Sequence, residues 1–143
     1  MANIDLTRAE QLRRIPMFSC LDELGLLHVS NIATPVTVPT GHVLLQPGQE
    51  GSGMFVIAEG SVDVELGSTT VSCHAGEFIG EMSLLVDGLV HTGRVRAATE
   101  VTCLAISRDD FDVLLGDYPQ IAVAMVKVLA QRLAVADEML TSR

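Results

Sequence analysis

Glycines recur at short intervals between residues 35 and 106, where they separate short runs rich in valine, isoleucine and threonine. β-Branched residues favour extended backbone, and glycine adopts the positive φ that tight turns require, as is expected of Gly60 in a hairpin turn at Glu59-Gly60-Ser61. Between Ser61 and Gly67 the apolar residues alternate with Asp63 and Glu65, as in a half-buried antiparallel strand. The pattern predicts a mainly β fold, an antiparallel jelly-roll or double-stranded β-helix barrel, with strands at 36–38, 43–46, 54–58, 62–66 and 70–74.

Helical patterns flank this region on both sides. The predicted single domain, residues 1–143, therefore comprises a helical lead-in (1–34), the barrel (35–106) and C-terminal helices (107–143). In the lead-in, Leu24, Leu27, His28 and Asn31 recur at helical spacing, which predicts a packing helix. Ser107 is the expected cap of a short helix that ends near Gly116, and Pro119 opens a long one.

The long helix carries two apolar stripes. The first stripe has alternating spacings of three and four residues and consists of Val126, Leu129, Leu133, Ala136 and Leu140. The second stripe lies beside it and consists of Ile121, Met125, Val128, Val135 and Met139. Because packing on the barrel needs only one stripe, the presence of two predicts a homodimer through this helix.

Charge and hydropathy exclude several kinds of protein. The formal charge of −9 disfavours a nucleic-acid surface, which needs a basic patch. Uninterrupted apolar runs are too short to span a bilayer, and the first residues lack the blocks of a signal peptide, so a cytoplasmic domain without membrane contact is expected. Cys20, Cys73 and Cys103 are widely spaced among apolar residues and are predicted to be buried free thiols.

The segment 76–99 resembles the phosphate-binding cassette of cyclic nucleotide-binding domains. Gly80, Glu81, Met82, Ser83, Leu84 and Leu85 match its first half, and Val95, Ala97 and Thr99 match its end. The rest of the chain is similar to the sensor half of the bacterial catabolite activator and its CRP/FNR relatives. The resemblance implies a ligand-binding regulatory domain and no enzyme. Those relatives carry a winged helix-turn-helix after the long helix, for which residues 1–143 leave no room, so DNA binding is not expected.

The resemblance also assigns site residues. The turn formed by Gly80, Met82 and Ser83 is expected to bind the ligand phosphate, Glu81 the ribose 2′-hydroxyl, and Thr92 the phosphate through its hydroxyl. His91 stands where the family carries the arginine that grips the cyclic phosphate. Arginine is always charged and bidentate, whereas histidine is mostly neutral at pH 7, so weaker binding is expected.

Three functions remain open from the sequence. The first is a stand-alone sensor that binds cAMP, cGMP or another small anionic ligand and signals through the C-terminal helix. The second is a degenerate domain without ligand that serves as a dimerisation or docking module. The third, a metalloenzyme on a cupin-like barrel, is disfavoured because His42, His74 and His91 stand singly, and neither a metal nor another cofactor is predicted.

Overall fold

The computed structural model of the chain describes residues 10–49, 53–81 and 93–141, with side chains up to residue 138. Residues 10–13 are helical, and a 3-10 turn follows at Pro16–Phe18. The helices are α1 (Glu23–Ile32), α2 (Arg108–Asp117) and α3 (Gln120–Thr141). The strands are β1 (Thr34–Val38), β2 (Val43–Leu45), β3 (Gly53–Glu59), β4 (Ser61–Leu66), β5 (Thr69–His74), β6 (Phe78–Ile79), β7 (Arg94–Ala97) and β8 (Val101–Ser107).

The strands form two four-stranded antiparallel sheets. The first has the order β1-β8-β3-β6 and the second the order β2-β7-β4-β5. Every strand predicted from the sequence is present, and the first and last strands extend one residue beyond the predicted limits of 35 and 106. The predicted jelly-roll architecture with flanking helices is confirmed.

The two central strands of the first sheet, β3 and β8, are buried on both faces. Ile57 and Cys103 point to the second sheet and join a cluster between the sheets. Val56 and Leu104 point the other way, into a larger cluster formed with the helices. Burial on both sides explains why β3 reads as a continuous apolar run, whereas β4, with one polar face, alternates. The described helices therefore cover the outer face of the first sheet.

Helix α1 begins after Asp22, whose carboxylate accepts a hydrogen bond from the Gly25 backbone N–H at 2.8 Å. The predicted packing stripe on this helix is wrong in part, because Leu24 is 72% exposed. Leu26 and Val29 are fully buried instead. Leu26, Val29 and Ala33 share one face of the helix, and this face packs in the core cluster with residues of the first sheet and of α2.

Helix α2 is capped by Ser107 as predicted: the Ser107 hydroxyl accepts from the Asp110 N–H at 3.2 Å. Helices α2 and α3 meet at Tyr118 and Pro119 with a bend of 112°. Ile121 and Met125 near the start of α3 are buried in the core, but Val135, farther along the same apolar stripe, is 55% exposed. Residues 133–138 of α3 are exposed on every side, so this part of the helix has no face on the described core. No described helix alone is long and apolar enough to cross a lipid bilayer.

The cysteines divide into two classes. Cys73 and Cys103 are buried free thiols, as predicted, and burial raises the pKa of Cys103 to about 11. Cys20 is exposed, so its predicted burial is wrong. It follows the 3-10 turn, where Phe18 and Leu21 occupy the inward positions and leave Cys20 facing solvent.

Gly60 joins β3 to β4 with a φ of +89°, which confirms the predicted turn. A Cβ atom at this position would collide with the Glu100 backbone oxygen and the Thr99 hydroxyl oxygen. Thr99 accepts a hydrogen bond from the Ser61 N–H at 3.1 Å, so the backbone on both sides of the collision is held in place. The hairpin therefore requires glycine for conformation and for space.

We expect Gly60→Ala to lower the free energy of unfolding by more than about 2 kcal/mol, from backbone strain plus the collision. Gly41→Ala is the matched control, since Gly41 has a φ of +90° but no described atom within 4 Å of its added Cβ. The loss of unfolding free energy in Gly41→Ala measures the backbone strain alone, which is about 1 kcal/mol. Urea unfolding of both variants measures the difference; equal losses would contradict the steric part of this account.

Candidate functional site

Gly80 begins the candidate site at the end of the edge strand β6. Its φ is +85°, and a Cβ atom there would lie 3.2 Å from the Gly53 backbone oxygen. The positive φ shows that the backbone turns tightly at Gly80, and the neighbour it approaches closely is the Gly53 backbone. The turn directs the next residue, Glu81, back toward the helical layer.

Glu81 is a buried carboxylate, with 6% of the residue exposed. A carboxylate in such a position needs a charged or hydrogen-bonding partner, because desolvation of the unpaired anion is unfavourable. The partner is Arg132 of α3, whose Nη1 donates to Glu81 Oε1 at 2.8 Å. The acid predicted to bind ribose is thus paired with the long helix.

Arg132 makes two further contacts with β6. Its Nη2 donates to the Phe78 backbone oxygen at 2.7 Å, and its guanidinium carbon lies 4.7 Å from the centre of the Phe78 ring. A guanidinium over an aromatic face gains a cation–π attraction. One side chain therefore ties the helix to the edge strand β6 and to the turn that follows it.

Arg132 was not predicted to lie at the site, although the sequence carries a signal for it. Arg132 continues the stripe of Ile121, Met125 and Val128, at spacings of four, three and four residues. A charged residue in line with a buried stripe needs a buried partner of opposite charge. Identifying Glu81 as that partner requires the tertiary structure, because 51 residues separate the two in sequence.

The Cys73 thiol lies within electrostatic range of this pair. Burial raises the pKa of Cys73; Glu77 and Glu81 also raise it, while Arg132 lowers it. The thiol is thereby kept protonated and poorly nucleophilic.

The other arginines near the cassette face away from the core. Val95 is buried, whereas Arg94 and Arg96 lie on the opposite face of β7, as strand alternation predicts. Arg94 Nε donates to Gln46 Oε1 at 3.4 Å, and Arg96 Nη1 donates to the Gly41 backbone oxygen at 3.3 Å. Neither guanidinium is directed to the side of the sheet that buries Val95.

The remaining predicted site residues, Met82, Ser83, His91 and Thr92, lie outside the described residues. Their assigned roles stay predictions. Within the described ranges, no group of three or more histidine, cysteine, aspartate or glutamate side chains could hold a metal ion.

Comparison with known proteins identifies the family to which this fold and site belong. Residues 35–118, more than half of the chain, match the cyclic nucleotide-binding domain family. The chain belongs to this family. It is 36% identical over 129 residues to a cyclic nucleotide-gated potassium channel of Rhizobium etli, an alignment that covers 90% of this chain and 36% of the channel. The chain thus spans about a third of the length of that relative.

Solved structures agree on the fold. The catabolite activator protein of Thermus thermophilus has a TM-score of 0.76 at 28% identity, over 88% of this chain and 62% of that one. The N-terminal domain of a transcriptional regulator from Streptomyces coelicolor has a TM-score of 0.66 at 30% identity, over 90% and 93% of the two chains. The resemblance inferred from the cassette is confirmed.

We expect Arg132→Ala to lower the free energy of unfolding by about 1.5–3 kcal/mol, because it leaves Glu81 buried without its partner. Arg96→Ala is the control; Arg96 Nε lies 3.6 Å from Glu65 Oε1 at the surface, and its loss should amount to less than about 1 kcal/mol.

A double-mutant cycle with Glu81→Gln separates the ion pair from the cation–π contact. We expect a coupling energy of about 1–3 kcal/mol between positions 81 and 132 in denaturant unfolding. A coupling near zero would mean that Arg132 stabilises the fold through Phe78 alone.

Proposed function

We propose that this chain is a regulatory domain, taken as the single unit 1–143, that binds a cyclic nucleotide, cAMP or cGMP, and transmits occupancy through α3. The observation that carries the proposal is the buried Glu81 carboxylate, which directly follows the Gly80 turn and is paired with Arg132 of the long helix. The proposed activity is recognition, and no enzymatic step is assigned to it.

Glu81 suits a ribose hydroxyl chemically. An ionised carboxylate has two acceptor oxygens, and Arg132 Nη1 engages one of them, Oε1. A 2′-hydroxyl donating to the carboxylate would form a charge-assisted hydrogen bond. Within the described part of the chain, hydrogen bonds engage two of the five N–H donors of Arg132, so the guanidinium also has donors to offer a ligand.

The phosphate is assigned to the backbone N–H groups of Gly80, Met82 and Ser83, with Thr92 and His91 as side-chain donors. Successive N–H groups at a turn attract an anion. His91 replaces the family arginine, so the proposed site binds more weakly at neutral pH and gains a cation when His91 is protonated.

Signalling is assigned to α3 because Arg132 belongs to it. Any ligand that changes the hydrogen bonding of Glu81 changes a contact that positions this helix. Residues 133–138 of the helix extend beyond the core, where they are accessible to a partner. Small movements at Glu81 would thereby reach an exposed surface.

Calorimetric titration with cAMP and with cGMP at pH 6 and pH 8 tests the ligand. We expect saturable binding that is tighter at pH 6, and His91→Arg to tighten binding at pH 8 by about 10- to 150-fold through a charge-assisted bond. Arg94→Ala, on the opposite face of β7, is the control and should bind as the wild type does. Absence of heat with both nucleotides up to millimolar concentration, in the wild type and His91→Arg alike, would refute the proposal.

A dimerisation module is the second candidate function. The feature that favours it is the first apolar stripe of α3 defined above, here called the seam. Val126 is 63% exposed and Leu133 is 64% exposed, whereas Leu129 between them is partly buried against the core. Exposed leucine and valine at heptad spacing are typical of a helix that packs against another helix. We propose a second copy of this chain as the partner, in keeping with the repeat of the seam.

Sedimentation velocity of the purified chain tests this interface. We expect a dimer in the wild type and a monomer in Leu133→Glu, because the charge would be buried at the interface. Val113→Glu is the control, since Val113 is 56% exposed but lies on α2. A monomeric wild type at high micromolar concentration, or a dimer unaffected by Leu133→Glu, would exclude the seam as the interface.

A further inference from the structure

Among the described edge strands, β5 lacks the features that hinder pairing with a further strand. The first sheet ends at β1, which contains Pro35, and at β6, which has two residues. The second sheet ends at β2, which has three residues and a register shift, and at β5. Proline, shortness and irregular register each discourage a further strand. Strand β5 has six residues in unbroken register with β4, and it contains no proline, aspartate, glutamate, lysine or arginine.

Alternation along the β4–β5 hairpin decides which backbone groups of β5 point outward. The two strands are joined by the two-residue turn 67–68. In such a hairpin the flanking residues, here Leu66 and Thr69, exchange hydrogen bonds, and every second residue beyond them does the same. The intervening residues of β5, Thr70 and Ser72, therefore direct their N–H and C=O groups away from β4.

The contacts of His74 agree with this alternation. Its N–H donates to Glu77 Oε2 at 2.6 Å, and its backbone oxygen accepts from the Glu77 N–H at 3.0 Å. His74 thus uses its outward groups within the chain. No strand in the described part of the chain pairs with the outer edge of β5, so Thr70 and Ser72 are the residues whose backbone groups are presented there.

Val71, between these two residues, ends an apolar row that crosses the second sheet. The row passes through Leu45 of β2, Val95 of β7 and Val64 of β4, which oppose one another in the sheet register. These three side chains pack in the cluster between the sheets. Val71, at the edge, is 44% exposed. A further strand with an apolar residue opposite Val71 would extend the row and cover this side chain.

We propose that β5 pairs antiparallel with β5 of a second copy of this chain, with the two Val71 residues opposite each other at the two-fold axis. In this register Thr70 of each copy faces Ser72 of the other, and each such pair exchanges both of its N–H···O bonds. The two Val71 side chains then meet at the close spacing of a non-hydrogen-bonded pair. The strand is therefore self-complementary, as a two-fold interface requires.

The register centred on Val71 is the one that uses all these groups. A register centred on Ser72 would oppose Thr70 to His74, whose backbone groups are already engaged. A register centred on Thr70 would oppose Ser72 to Ser68, which belongs to the turn. Shifts by one residue would set inward side chains against outward ones.

The formal charge of −9 opposes this pairing only weakly. The acidic side chains of β4 face outward, and Glu65 of one copy would lie about three strand spacings, ~14 Å, from Asp63 of the other. This distance exceeds the Debye length of about 8 Å at physiological ionic strength. Arg96 Nε also lies 3.6 Å from Glu65 Oε1 and offsets its charge. Glu77 of each copy would face the uncharged turn 67–68 of the other.

The contact is weak because a single pair of short strands buries less surface than a standard interface, and its expected dissociation constant is about 0.1–1 mM. It uses no residue of the proposed ligand site or of the seam. At the lower concentrations at which the seam is measured, the β5 edges are mostly separate.

Disulfide trapping tests the register. In a chain carrying Cys20→Ser and Leu133→Glu, which removes the exposed thiol and the seam, Val71→Cys places two thiols at a Cα separation of about 4.5 Å, which a disulfide accepts. The other native thiols are buried. Leu66→Cys is the matched control, since Leu66 is 45% exposed on β4. We expect Val71→Cys to cross-link in a glutathione redox buffer at least about tenfold faster, because pairing raises the effective thiol concentration.

A proline at position 70 tests the backbone hydrogen bonds. Thr70→Pro, added to Val71→Cys, removes an outward N–H from each copy without touching the pairing with β4, and cross-linking should slow at least about tenfold. Thr70→Val keeps the N–H and should cross-link at the parent rate. Urea unfolding shows whether the proline variant is folded.

A lysine at position 71 decides the question if Thr70→Pro does not fold. In sedimentation equilibrium near about 1 mM, the Leu133→Glu chain should self-associate, whereas addition of Val71→Lys, which sets two ammonium groups opposite each other, should leave it monomeric. Leu66→Lys is the control and should still self-associate.

Equal cross-linking rates of Val71→Cys and Leu66→Cys, or self-association that persists in Val71→Lys, would overturn the proposal. Because these measurements use no nucleotide and Leu133→Glu removes the seam, their failure would leave both functions proposed above unaffected.

Discussion

The pairing of Glu81 with Arg132 is the interaction on which the position of the long helix depends. A carboxylate as buried as Glu81 is unfavourable without a cation, and within the described residues Arg132 supplies it. The same guanidinium binds the Phe78 backbone oxygen and covers its ring. Ile121 and Met125 anchor the start of α3 by burial, which is itself not directional, and Arg132 adds directional contacts about two turns beyond the last fully buried residue. Three directional contacts at one side chain fix its register against β6.

This arrangement requires that the helices and the cassette meet at one edge of one sheet. The first sheet is covered by helices on its outer face, and β6 forms its edge. Phe78 contributes its side chain to the helical cluster, and Ile79 contributes its side chain to the cluster between the sheets. Gly80 then ends the alternation with a positive φ, so Glu81 returns to the helical side. The buried acid is thus a consequence of strand periodicity followed by a single left-handed residue.

Features that depend on local sequence were predicted well. The strands, the Gly60 hairpin and the Ser107 cap follow from residue preferences over a few positions, and the structure confirms each of them. Features that depend on distant contacts were not. The buried stripe of α1 was misplaced at Leu24, the burial of Cys20 was wrong, and Arg132 was given no role at the site. The cassette resemblance located Gly80 and Glu81, but residue patterns alone do not reveal a pair separated by 51 positions.

If a ligand hydroxyl binds Glu81, it does so at a carboxylate that already positions α3. Binding then changes the strength of the Glu81–Arg132 contact. By thermodynamic linkage, the position of α3 changes the affinity for the ligand by the same free energy. A hydroxyl that shares the carboxylate with Arg132 would hold the helix more tightly, whereas one that displaces the guanidinium would release it. In both cases an altered Arg132 must change affinity as well as stability, because one carboxylate serves both contacts. A ligand that bound the Gly80 turn without contacting Glu81 would lack this coupling, so in the proposed function recognition of the sugar, more than of the phosphate, would be the step to which α3 responds.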